Sequence, residues 1–135
     1  MYAELDESSV GDVTQCEDRI VSQSEALLPA GSQDKIRSGV DYLDEILRPL
    51  GYETSLVVIR RANSLALYFI CMTLAALMSL RDQWRSQQLR GAVQKLFTFL
   101  SGATQTVYVK RLTWPLTNYK RSLDFFSSVQ SKQTI

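Results

Sequence analysis

Histidine is absent from this chain of 135 residues. That removes the commonest neutral-pH general base and the commonest metal ligand. Neither a Ser-His-Asp nor a Cys-His site can be assembled from one copy. Cysteine is scarce, with Cys16 and Cys71 alone. Two thiols without histidine do not complete a zinc site, and free thiols in a reducing compartment are the expectation. No Walker loop, GxGxxG, HExxH, CxxC or EF-hand loop occurs. A Glu or Lys base stays chemically open, but no acid, base and nucleophile group together. The sequence therefore points away from an enzyme. It predicts no catalytic residue, no cofactor, no metal and no small-molecule substrate.

The first dozen residues lack the basic-then-apolar order of a secretory signal and are too acidic for a transit peptide. No lipidation signal is present. An intracellular, cytoplasmic protein is expected, with an organelle membrane as the alternative site.

What the chain does have is a divided charge. Residues 1–34 hold eight acids and one base, net −7, and residues 35–135 are net +8, so the overall +1 hides two opposed parts. Such asymmetry usually marks a tail joined to a folded part. Residues 1–31 read as an acidic, largely disordered tail closed by Pro29-Ala30-Gly31, and residues 32–135 as one helical domain.

Ser32 and Asp34 suit a helix start, and Pro49 and Gly51 suit its end. Between them Ile36, Val40, Leu43, Leu47 and Leu50 recur at steps of 4, 3, 4 and 3, which predicts an amphipathic helix over 33–48. Ile36, Val40, Leu43 and Leu47 are candidate partner-binding anchors, because this spacing suits helix-in-groove or coiled-coil pairing. Packing within the same chain is the simpler use of the same stripe.

From Ala62 to Leu80 there is no charge, glycine or proline. Leu56-Val57-Val58-Ile59 alone would suit a strand, but the long Ala- and Leu-rich run predicts one helix over 55–80. A helix apolar all round is either wrapped by neighbours or set in a membrane. Leu65, Leu67, Phe69, Ile70, Met72, Leu74, Leu77 and Met78 form the expected core in the first case. In the second, residues 56–80 insert and the basic, aromatic part meets an anionic membrane surface.

Leu89, Val93, Leu96, Phe97 and Leu100 form another helical stripe over 83–100, stopped by Gly102. Residues 104–112 contain Val107, Tyr108 and Val109 and suit a short strand, but a lone strand has no partner, so helix is preferred. Pro115 ends it, and Tyr119, Leu123 and Phe126 share one face of a last helix. The fold expectation is all-α, a bundle of four to five helices around a hydrophobic central helix.

Lys110, Arg111, Lys120 and Arg121 are the candidate basic patch. With no RNP motif or zinc finger beside them, nucleic acid is a weak candidate partner. The functional expectation is a non-enzymatic interaction or scaffold protein that binds another protein or a second copy of itself. Membrane association through residues 56–80 is the alternative.

Overall fold

A computed structural model of the chain describes residues 1–9, 12–28, 43–102 and 105–133. It overturns the all-α expectation. Four strands and several helices alternate: β1 (Tyr2–Leu5), α1 (Val13–Leu27), β2 (Thr54–Arg61), β3 (Leu65–Cys71), α2 (Leu74–Arg85), α3 (Gln88–Ser101), β4 (Val109–Thr113) and α4 (Leu116–Gln133). The strands form one sheet in the order β2-β3-β1-β4, with every neighbouring pair antiparallel. This connectivity is the split β-α-β arrangement.

The segment expected to be a tail supplies the strand beside the sheet's centre. Ala3 pairs with Leu65 on one side and Leu112 on the other, and all three are buried. Helix α1 starts where Asp12 accepts a hydrogen bond from the Gln15 amide. Its buried face is Cys16, Glu17, Ile20, Ser24 and Leu27. Glu17 and Asp18 both pair with Arg61 at the end of β2. Acid from the N-terminal part thus meets base from the rest inside one fold. Burial raises the Glu17 carboxyl above its ordinary value, and Arg61 opposes that rise.

The uncharged run is a hairpin followed by a helix, not one rod. The β2–β3 turn closes with Ala62 N–H donating to Ser64 C=O. Thr73 then accepts from the Ala76 amide and caps α2. Leu65, Leu67 and Leu77 enter the core as expected, while Ile70, Met72 and Met78 are exposed. Among the described residues no helix is long and apolar enough to cross a membrane.

The helix expected over 83–100 is α3, and the chain breaks before it at Gln87. Gln87 adopts a left-handed φ of 70°, and Gly102 closes α3 at 67°. Residues expected to be helical after Thr104 give β4, whose partner is β1. Gln94 and Thr98 of α3 tie this segment down. The Gln94 side-chain oxygen accepts from the Val109 amide and the Thr98 hydroxyl from the Val107 amide.

Leu89, Val93, Leu96, Phe97 and Leu100 of α3 are buried as the stripe required. Phe97 is fully buried at 0% exposure. Phe97→Ala is expected to cost about 3–5 kcal/mol of stability through lost transfer energy and the cavity left behind. Urea unfolding checks this, and a loss below about 1 kcal/mol would place Phe97 outside the core.

Candidate functional site

One face of the sheet is covered and the other only in part, with Ala66 buried on it. Ala3, Leu5, Leu56, Ile59, Leu65, Leu67, Val109 and Leu112 are buried. Strand alternation puts Tyr2, Glu4, Arg60, Tyr68 and Ile70 on the opposite side. The register agrees, since Ala66 lies opposite both Tyr2 and Arg60. Arg60 sits 6.0 Å from the Tyr68 ring centre.

The sheet also has a gap. Strand β3 pairs with β2 as far as Cys71 but with β1 only to Ala66. Just beyond, Leu67 exchanges two hydrogen bonds with Met1: its amide donates to Met1 C=O at 2.8 Å, and the Met1 ammonium donates to Leu67 C=O at 3.2 Å. Burial lowers the pKa of that ammonium. Past Met1, β3 runs on with no described strand on this side.

A groove of about 360 Å³ opens there. Its lining includes Tyr68, Phe69, Ile70 and Cys71 of β3, Leu77 and Leu80 of α2, and Asn118, Ser122, Phe125 and Phe126 of α4. Tyr68 is 52% exposed, Ile70 50% and Phe125 64%, and Met72 continues the patch at 69%. Among the described residues no charged side chain lines the groove, and the one charge at its edge is the Met1 ammonium. Leaving this much large apolar surface in contact with water is unfavourable, and such patches mark binding sites.

Helix α4 is anchored beside the groove by an aromatic cage. Arg81 of α2 lies 4.4 Å from the Trp84 ring centre, 5.1 Å from that of Trp114 and 4.6 Å from that of Tyr119. The rings meet edge to face, Trp84 with Trp114 and Trp114 with Tyr119. Trp84 donates to Leu112 C=O at 2.8 Å and Arg81 to Trp114 C=O at 3.4 Å. Arg81 is only 7% exposed, and no described carboxylate pairs with it. Three ring faces stand in for the missing anion. The cage fixes the Trp114-Pro115 corner from which α4 departs, and so sets one wall of the groove.

The residues singled out from sequence fall elsewhere. Leu43 is buried and Leu47 packs partly buried against the core, so both face inward. Ile36 and Val40 lie outside the described residues. Lys110 and Arg111 are exposed on β4, and Lys120 and Arg121 are exposed on α4. Arg111 lies across the ladder from Glu4, and Lys110 acts electrostatically on Asp6. The N-terminal acids therefore partly neutralise one half of the proposed patch. Sequence reasoning missed the groove. Its one signal was Tyr68, Ile70 and Met72, at strand spacing inside a run taken to be core.

Among the described residues no three metal-ligating side chains cluster together. Both cysteines are free thiols, Cys16 buried and Cys71 half-buried in the groove. Burial pushes both thiols up, and a hydrogen bond from Thr54 partly opposes this at Cys71. Native alkylation by iodoacetamide should therefore modify Cys71 before Cys16. Its rate should be lower than that of an ordinary thiol and should keep rising with pH past the point where an ordinary thiol levels off, because the thiolate is the reactive form. Mass spectrometry across a pH series checks this, and a Cys71 rate equal to that of free cysteine at pH 8 would contradict the burial. Comparison with protein-family models, curated sequences and solved structures finds no match.

Proposed function

We propose that this chain is a non-enzymatic protein-interaction module whose binding site is the groove between β3 and α4. The observation that carries it is the continuous exposed apolar surface of Tyr68, Ile70, Met72 and Phe125 on a chain whose other large apolar side chains mostly form one core. The groove's size and its mainly apolar lining suit side chains of a protein partner. Leu43 and Leu47, used in packing, are not part of this surface.

A second reading draws on Tyr2 and Tyr68. Aromatic side chains on the central strands of a four-stranded sheet are one way to stack bases of single-stranded RNA. Charge favours it less, since Arg111 faces Glu4 and Arg60 lies against Tyr68. Membrane insertion depended on a single helix over 55–80, which the β2–β3 hairpin replaces.

The test is selection of decapeptides from a random display library on the immobilised full chain. Selected peptides should bind wild type and lose at least about tenfold in affinity to Ile70→Lys, since a charge would be desolvated in an apolar site. Ile70 is half exposed, so this variant should keep the wild-type melting temperature. Failure to select any peptide, or peptides indifferent to Ile70→Lys, would overturn the proposal. Salt-sensitive binding of oligouridine lost in Tyr68→Ala would favour the second reading.

A further inference from the structure

The groove combines an apolar lining with an unpaired stretch of backbone. In an antiparallel sheet successive residues direct their N–H and C=O groups to opposite neighbours. Met72 N–H donates to Glu53 C=O, beside β2, whereas Leu67 uses both its groups on Met1. Phe69 and Cys71 follow Leu67 in the alternation. Their amide and carbonyl groups therefore point away from β2, into the space beyond Met1, where no described strand meets them.

The outer edges of the sheet are built differently. Strand β2 carries a bulge between Leu56 and Val58 and ends in Arg60 and Arg61. Strand β4 carries Lys110 and Arg111 beside a register shift. Bulges and charges are the devices that keep an edge from pairing with another chain. The edge at 68–71 has neither. It holds Tyr68, Phe69, Ile70 and Cys71, with no charge among them, and its polar groove neighbours are the neutral Asn118 and Ser122, with the Met1 ammonium at the end beside Leu67.

We propose that the groove takes an extended, uncharged, apolar-rich segment of a partner protein as an added β-strand, antiparallel to β3 and hydrogen-bonded to Phe69 and Cys71. This rests on the groove being the binding site. The added strand lies in line with β1, and about four residues fill the length of β3 from 68 to 71. Alternate side chains of the segment meet Leu77, Leu80 and Trp114 on one side, and Tyr68, Ile70 and Phe125 on the other. Main-chain bonds give affinity, and the two sets of contacts give sequence preference.

The test uses the full chain and one selected decapeptide, methylated at one backbone nitrogen at a time. Methylation at alternate positions should weaken binding about tenfold, the worth of a lost hydrogen bond, and methylation between them should be tolerated. Amide hydrogen exchange at Phe69 and Cys71, read by NMR, should slow on binding by about tenfold or more. A methylation profile without alternation, with unchanged exchange at Phe69 and Cys71, overturns strand addition. If Ile70→Lys still removes binding in that case, the groove stands and only the mode is wrong. If Ile70→Lys leaves binding intact, the groove itself is wrong. A dimer of the chain that forms through the groove and excludes the peptide also overturns the assignment to a partner segment.

Discussion

A chain lacking residues 1–5 is expected to lose cooperative folding. Strand β1 lies between β3 and β4, and its removal strips the hydrogen-bonding partners from one side of each. Ala3 and Leu5 are buried, so their loss also opens the core above α1 and α3. Strand β4 then keeps no strand neighbour, since β1 is the only described strand it pairs with. Unpaired backbone within a buried layer costs about 1–3 kcal/mol per group, against a total stability of about 5–15 kcal/mol for a domain. Thermal unfolding followed by circular dichroism should lose its sigmoidal transition. A truncated chain that still melts cooperatively near the wild-type temperature would contradict the topology.

Arg81→Ala should cost about 3 kcal/mol, since the guanidinium is desolvated among three rings and each such contact is worth about 0.5–2 kcal/mol. Lost packing of the side-chain stem adds to this. Arg81→Lys should recover little, because a compact ammonium cannot stack as a plane on Trp84, Trp114 and Tyr119. Arg81→Met should recover most of the loss. It fills similar volume, keeps sulfur against the rings and buries no charge. Denaturant unfolding of the three variants gives the ranking. A Met variant as unstable as the Ala variant would mean that charge, not shape, holds the cage.

Helix α3 was legible because its apolar residues repeat at helical spacing against Arg90 and Lys95, and α4 because Tyr119, Leu123 and Phe126 do the same. The hairpin was not. In β3 both faces are apolar, Leu65, Leu67 and Phe69 toward the core and Tyr68 and Ile70 toward the groove. Two apolar faces erase the period of two and leave a run that resembles a buried helix. The local signs were there, with Asn63-Ser64 between two apolar runs and Thr73 as a helix cap. The bend at Gln87 had no sign at all, because nothing about glutamine announces a left-handed φ. Strand β4 was read as helix for want of a partner. Its partner, Tyr2–Leu5, lay at the far end of the chain within acidic sequence. Pairing at that distance leaves no local trace. The binding surface was hidden by the same ambiguity, since Ile70 and Met72 were assigned to a core that they do not enter.

The most direct measurement is an NMR titration of the full isotope-labelled chain with a selected peptide. The account predicts that backbone shifts change most over residues 66–72 of β3 and residues 118–126 of α4, with little change at Leu43 and Leu47. Changes confined to Lys110, Arg111, Lys120 and Arg121, with β3 undisturbed, would contradict it.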